Sequence, residues 1–156
     1  MLTLTQMLLR LGVALALGAL VGLERELVRK EAGIRTLMLI SGGAAMFTLV
    51  GITLPYLVAM PDAVSDTIVN NSGFLMIIAN VVMGAGFIGA GIIIKTQEHV
   101  HGLTTATMVW VTAAIGILAG LGATEFAVAA SLIITILLYL LRKLNVSENV
   151  GSFKFK

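Results

Sequence analysis

Acidic and basic side chains that could bind a cation, or each other, meet in residues 24–35 of this 156-residue sequence. Carboxylates with few competing ligands suit a hard ion such as Mg²⁺, but the neighbouring arginines would repel it. A structural clamp of ion pairs is therefore the competing interpretation. We group Glu24, Arg25, Arg35, Thr36 and Lys95 as one charged cluster, because the topology predicted from the charges places all of them at one membrane face.

A run of glycines between Gly84 and Gly91 contains a literal GxGxxG at Gly84, Gly86 and Gly89. A dinucleotide-binding turn needs a strand before this motif and a helix after it, whereas the run lies inside an uncharged segment, residues 72–94. Close helix packing or a locally unwound helix explains it better, because both need residues without side-chain bulk. Asn80 is expected near the bilayer midplane, either as an interhelical hydrogen-bonding group or as part of a transport pathway.

The next polar stretch carries His99 and His101 and continues through Gly102 to Thr104 and Thr105. Histidines two residues apart do not share a helical face, and without a clear third ligand we expect no zinc site. The two threonines are expected to cap the following helix. The chain has no cysteine, and no catalytic triad, HExxH or phosphate loop occurs in a credible context. We therefore expect no enzyme activity and no cofactor, and we assign no metal ligands.

The composition indicates a membrane protein that must position these groups on spanning helices. Hydrophobic residues make up 58% of the chain and charged residues 12%, whereas ordinary globular chains carry about 25% charged residues. A spanning helix needs about 20 apolar residues, so the chain has room for five or six spans and for no separate soluble domain.

Five apolar segments predict an all-α polytopic membrane protein with five transmembrane helices: residues 4–23, 36–61, 72–94, 104–124 and 126–141. Residues 1–144 form the predicted membrane domain, and 145–156 a short cytoplasmic tail. The first helix is expected to continue past the membrane with a Glu26–Lys30 pair, ending near Gly33. Pro55 and Pro61 are assigned to a turn-rich loop between the second and third helices.

The basic residues predict the orientation of the bundle. Nine of the ten fall on one side: Arg25, Arg29, Lys30, Arg35, Lys95, Arg142, Lys143, Lys154 and Lys156. The positive-inside rule then places the N-terminus outside and the C-terminus in the cytoplasm. We interpret the net charge of +2 as a signal of orientation, and we expect no nucleic-acid partner.

Arg10 and two glycine pairs within the spans also need an explanation. Arg10 would lie about 9 Å along the first helix, where it either extends to the lipid headgroups or pairs with Glu125 or an acidic residue of the outer loop. The small-residue faces at residues 18–22 and 116–120 indicate tight helix packing and, more weakly, a homodimer.

Four blocks of the sequence together resemble the MgtC/SapB family of bacterial inner-membrane proteins: Gly18-Ala-Leu-Val-Gly-Leu-Glu-Arg-Glu26, Ala32-Gly-Ile-Arg-Thr36, Gly84-Ala-Gly-Phe-Ile-Gly-Ala-Gly91 and Val100-His-Gly-Leu-Thr-Thr-Ala106. The resemblance covers about residues 8–144. It implies a multi-pass, five-helix domain in the inner membrane. It further implies a role in growth at low Mg²⁺ and in survival inside host cells, and some members are similar to inhibitors of the proton-driven ATP synthase.

The chain departs from the family pattern at three positions. Met76 and Asn80 stand where members usually have an Arg and a Gln, and His101 stands where many have Arg. Many members also carry a C-terminal soluble domain. Because this chain ends at Lys156, it is expected to be the membrane module alone.

Two functions follow as hypotheses, beside that of a structural membrane subunit whose only role is assembly. The first is a non-enzymatic inner-membrane protein, virulence-associated in some relatives, that acts in Mg²⁺-linked or acid-stress adaptation by binding another membrane protein. Its partners would be the lipid bilayer, a membrane protein such as the ATP synthase and, less directly, a second copy of itself. The alternative is a transporter or channel for Mg²⁺ or another small solute, with Asn80 at its site. Gly89→Leu should abolish partner binding, and Asn80→Ala should abolish transport.

Overall fold

The computed structural model describes residues 2–58, 72–96 and 99–144. Their elements are α1 (Leu4–Leu27), α2 (Ile34–Val58), α3 (Ser72–Ile92), β1 (Ile94–Lys95), β2 (Val100–His101), α4 (Leu103–Leu121) and α5 (Thr124–Lys143). All five helices are long and apolar enough to cross a membrane. The predicted fold class is confirmed, and each helix matches a predicted segment to within four residues at either end. The predicted tail, residues 145–156, lies outside the described residues.

Helix α1 begins at a capping box and ends earlier than the sequence indicates. Thr3 Oγ1 accepts a hydrogen bond from the Gln6 amide, and Gln6 Oε1 accepts one from the Thr3 amide, so two N-terminal amides are satisfied. The helix ends at Leu27, and Arg29 turns the chain with a φ of 55°. The predicted extension of the helix to Gly33 is therefore wrong, and Glu26 and Lys30 do not lie on one helix.

Helix α2 contains Pro55, which the sequence had placed in the following loop. Proline cannot donate the backbone hydrogen bond to the carbonyl four residues earlier, but the helix continues past it to Val58. Pro61 and the rest of the predicted loop lie outside the described residues.

Helix α4 is the centre of the bundle and contacts each of the other four helices. Glycines allow its closest approach to α2: a methyl group on Gly116 would overlap the backbone of Ser41, and one on Gly120 would lie 2.9 Å from the Ala45 carbonyl oxygen. On α1, a methyl group on Gly18 would lie 2.6 Å from the Leu37 carbonyl oxygen of α2. Both predicted small-residue faces are therefore used for packing within one chain.

Helices α3 and α5 lie at the periphery and leave most of their side chains exposed. Exposed apolar residues on these helices, such as Phe87 and Ile133, are what a helix facing lipid requires. Between α3 and α4 the chain forms a two-residue antiparallel hairpin, in which Ile94 pairs with His101 and Lys95 with Val100.

Arg10 forms a hydrogen bond with a backbone carbonyl at the C-terminal end of α4. Its Nη1 donates a 2.9 Å hydrogen bond to the Gly120 carbonyl oxygen, and a cation near a helix C-terminus is also favourable with respect to the helix dipole. A methyl group on Gly122, where φ is 91°, would lie 2.7 Å from the guanidinium group. The structure thus gives Arg10 a backbone partner that the sequence did not indicate, and the acidic residues of the predicted outer loop lie outside the described residues.

Candidate functional site

Four helix termini meet at one side of the bundle: the C-termini of α1 and α5 and the N-termini of α2 and α4. We call this side the basic end, because Arg25, Arg35, Lys95 and Arg142 lie there. Within it, Glu24 and Arg25 are buried, with 8% and 4% of their surface exposed. Charged groups are seldom buried unless they are paired and hydrogen-bonded. Their surroundings therefore form the first candidate site.

Thr105 links Arg25 to the α1–α2 loop. Arg25 Nη2 donates a 3.3 Å hydrogen bond to the Thr105 hydroxyl, which itself donates a 2.7 Å hydrogen bond to Glu31 Oε2. Thr105 is itself buried. The hydroxyl thus joins a buried cation to a carboxylate that is exposed on the loop.

Glu24 lies between two arginines. Its Oε1 is 3.5 Å from Nη1 of Arg142 on α5, and its Oε2 is 3.9 Å from Nη1 of Arg25. Oε2 and the Arg25 Nε are buried without a hydrogen-bond partner. Glu24 therefore ties α5 to α1 through Arg142 at the rim, whereas its pair with Arg25 lies within α1 and inside the bundle.

Two further carboxylates, Glu31 in the α1–α2 loop and Glu26 near the end of α1, accept hydrogen bonds at this end. The hydrogen bond from Thr105 is the main cause that holds the pKa of Glu31 below its ordinary value, with smaller contributions from its backbone hydrogen bond and the charges of Lys30 and Arg25. Glu26 Oε2 accepts a 2.8 Å hydrogen bond from the Ile34 amide and so caps α2. A methyl group on Gly33 would lie 2.6 Å from that oxygen.

Arg35, Thr36 and Lys95 do not join this network, although the sequence pattern grouped them with Glu24 and Arg25. All three are exposed, and none is hydrogen-bonded or paired through its side chain to Glu24 or Arg25. The three residues therefore share the basic end with Glu24 and Arg25 but form no hydrogen bond or salt bridge with them. Arg35 and Thr36 instead line a groove between α2 and α3.

This groove has a volume of about 970 Å³ and a mostly apolar lining. Helices α2 and α3 form its walls, and Ala113 of α4 lies at its floor. Asn80 lines it as well and is exposed. The sequence prediction placed Asn80 near the midplane, and the structure adds that it faces this groove.

The glycine block is part of a continuous helix, since α3 runs unbroken from Ser72 to Ile92. The block is divided among several environments. Gly89 packs against α4, where a methyl group would lie 3.1 Å from the Ala106 carbonyl oxygen. Gly84 lines the groove, and at Gly84, Gly86 and Gly91 a methyl group would meet nothing within 4 Å.

The N-cap of α4 is not one of the threonines that the sequence predicted. Gly102 is the N-cap of α4, with a φ of 82° and no side-chain cap. Thr104 is exposed, and Thr105 bonds Arg25 and Glu31, so the predicted capping by these threonines is wrong. A side chain at Gly102 would overlap the Ile92 carbonyl oxygen. His101 is exposed on β2, and its ring lies 6.2 Å from that of His99.

Among the residues that the structure describes, no group of three or more His, Asp or Glu side chains could hold a metal ion. Sequence reasoning did not assign Glu31 and Arg142 to the network. The order of the spanning segments does indicate that these residues lie near Arg25, because antiparallel helices bring the end of α1, the start of α4 and the end of α5 to one side. It does not indicate which of the several charges at that side would pair.

The chain is similar to known bacterial proteins. The family model of the MgtC family matches residues 11–147. The chain is 40% identical over 136 residues to "Protein MgtC" of Salmonella typhimurium, which covers 87% of this chain and 52% of that protein. It is 37% identical to "Protein SapB" of Bacillus subtilis over 133 residues, 83% of this chain and 53% of that protein.

The same extent of similarity is found with "Protein MgtC" of Brucella abortus, which is 37% identical over 131 residues, 84% of this chain and 49% of that protein. The chain thus spans about half the length of the curated relatives it matches. No solved structure matches it.

Proposed function

Because the chain belongs to the MgtC family, we propose that it is a non-enzymatic inner-membrane protein that acts in Mg²⁺-linked or acid-stress adaptation by binding another membrane protein. The bundle is held together within one chain by the glycine contacts of α1 and α4 with α2. A partner would therefore bind a surface that these contacts leave open.

The outward face of α3 is the observation that carries this proposal. Ala79, Met83, Gly86 and Ala90 follow the i, i+4, i+7, i+11 spacing of one helical face, and all four are exposed. A methyl group on Gly86 would meet nothing within 4 Å. Ala79, Gly86 and Ala90 are small, and small residues on one face let a second helix approach closely, which is how helices associate in lipid.

The basic-end network has a supporting role in this proposal. The Arg25–Thr105–Glu31 hydrogen bonds and the Glu24–Arg142 pair join α1, α4 and α5. Helix α3 rests mainly on α4. The network therefore positions the helix against which the partner-binding helix packs.

Gly86→Leu tests the proposal. The variant places bulk on the outward face without a clash inside the chain, so it should fold and insert normally but fail to restore growth of a deletion strain in low-Mg²⁺ or acidic medium. Gly12→Leu is the matched control, because Gly12 is exposed on α1 and a methyl group there would also meet nothing within 4 Å. Full growth with Gly86→Leu would contradict the proposal.

A photo-crosslinking residue at position 86, compared with one at position 12, would identify the partner. The proposal requires a defined crosslinked membrane protein at position 86 that position 12 does not give. The proton-driven ATP synthase is one candidate that the family resemblance suggests. Gly89→Leu is not a suitable test, because Gly89 packs against Ala106 inside the chain and its substitution would disturb the fold.

Transport of Mg²⁺ or another small solute is the second candidate, and the exposure of Asn80 to the groove favours it. Purified protein in liposomes that hold a Mg²⁺-sensitive dye would test it under an imposed potential. Entry above that of empty liposomes, lost in Asn80→Ala, would support transport. Absence of entry in correctly inserted protein would exclude Mg²⁺ transport and leave partner binding.

A further inference from the structure

The α2–α3 groove is open at the basic end and closes before it reaches the opposite end. Arg35 and Thr36 line it at the start of α2, and Phe47 is the last α2 residue that does so. Four residues further on, a methyl group on Gly51 would lie 2.8 Å from the Phe74 ring of α3. The two helices are therefore in contact at Gly51 and apart near Arg35.

The depth of the groove corresponds to one leaflet. Arg35 and Phe47 are twelve residues apart, which is about 18 Å along a helix. Half of a hydrocarbon core of about 30 Å is about 15 Å. An acyl chain entering from the basic end would fit this depth, whereas a helix that crosses the whole membrane would meet the closed contact between Gly51 and Phe74.

The charge at the open end of the groove is positive. Arg35 is exposed, and in the part of the chain that the structure describes its guanidinium forms no salt bridge. The rest of the lining is mostly apolar, with Leu39, Phe47 and Ile77 among the contributing residues. A cation above an apolar groove complements a negatively charged headgroup above an acyl chain, as in basic pockets between transmembrane helices that bind anionic lipids.

We propose that the α2–α3 groove is a binding site for one anionic phospholipid, whose phosphate pairs with Arg35 and whose acyl chain lies between α2 and α3. This site is separate from the proposed partner surface. Gly84 faces the groove, whereas Gly86 is not part of its lining. The two proposals can therefore fail independently.

Native mass spectrometry of the delipidated full chain tests the site. The protein in detergent receives equal amounts of phosphatidylglycerol and phosphatidylcholine, and the retained lipid is counted. We expect one phosphatidylglycerol, retained about fivefold more than phosphatidylcholine, since one basic residue near an anionic lipid contributes about this factor. Arg35→Gln should bring the ratio close to one. Arg29→Gln, which removes an exposed charge outside the groove, should leave it unchanged.

Filling the groove gives the second measurement. At both Gly43 and Gly84, which line it, a methyl group meets nothing within 4 Å, so leucine at either position should fold and displace the acyl chain. Gly84→Leu and Gly43→Leu should each lose the retained lipid at least tenfold, and Gly86→Leu should keep it. Far-UV circular dichroism and thermal unfolding of each variant verify that it is folded.

Three results would overturn the proposal. Equal retention of both lipids by the unmodified chain would show annular lipid only. Unchanged retention in folded Gly84→Leu and Gly43→Leu would place the lipid elsewhere. A dimer in the same spectra that Gly84→Leu abolishes, without retained lipid, would show that a second copy of the chain occupies the groove.

Discussion

The Thr105 hydroxyl donates a 2.7 Å hydrogen bond to Glu31, 74 residues away in the chain. It also accepts a hydrogen bond from the buried Arg25. One hydroxyl therefore satisfies a buried guanidinium and fixes the α1–α2 loop against α4. Its loss should therefore destabilise this end of the bundle.

Thr105→Val should lower the free energy of unfolding by about 1 to 3 kcal/mol, because the variant keeps the shape of the side chain but removes the buried hydrogen bond from Arg25 and the partly buried one to Glu31. Thr104→Val is the control, since Thr104 is exposed and its substitution should change stability by less than about 0.5 kcal/mol. Denaturant unfolding in detergent, followed by circular dichroism, would measure both. Equal effects of the two substitutions would contradict this assignment.

The two arginines around Glu24 should contribute unequally. Arg25 is buried, so Arg25→Gln leaves the Glu24 carboxylate without its inner partner and should cost about 3 kcal/mol or more. The side chain of Arg142 is 46% exposed, so Arg142→Gln should cost less than about 1 kcal/mol. Thermal unfolding of both variants decides the order, and a larger loss for Arg142→Gln would contradict the described burial.

Protonation of Glu31 at acidic pH should lower the stability of the protein. Its pKa in the folded chain lies below the ordinary value of 4.5, chiefly because of the Thr105 hydrogen bond. A carboxylate with a depressed pKa binds fewer protons when folded, so its contribution is fully present above pH 4.5 and is lost as the pH falls through the folded pKa. The melting temperature measured from pH 7 to pH 3 should fall less in Glu31→Gln than in the unmodified chain.

Gly33→Ala and Gly12→Ala should change stability in opposite directions. A methyl group on Gly33 would displace the Glu26 carboxylate from the start of α2, and loss of such a cap costs about 1 kcal/mol. The same change at Gly12, where nothing lies within 4 Å, should stabilise α1 by about 0.5 to 1 kcal/mol. Unfolding curves of the two variants give the sign directly. A neutral Gly33→Ala would show that the cap is dispensable.

Several features followed from the sequence because they depend on local properties of the chain. Each spanning segment was identified from about 20 consecutive residues, since lipid requires a helix that is apolar on all sides. The small-residue pairs at residues 18–22 and 116–120 correctly indicated tight packing, because only glycine lets two backbones approach closely. Loop details were less accurate: the end of α1, the position of Pro55 and the cap of α4 depend on contacts with other elements.

The sequence by itself determined that this protein is a bundle of five membrane-spanning helices of the MgtC family, and it predicted nine of the ten basic residues at one end. Only the tertiary structure decided that Thr105 pairs with Glu31, that Arg35 faces a groove, and that Gly84, Gly86 and Gly89 have different surroundings. The physical reason is that hydropathy counts residues along a helix, whereas pairing depends on the rotation and tilt of each helix against its neighbours. Those quantities are set by the packing of all five helices together.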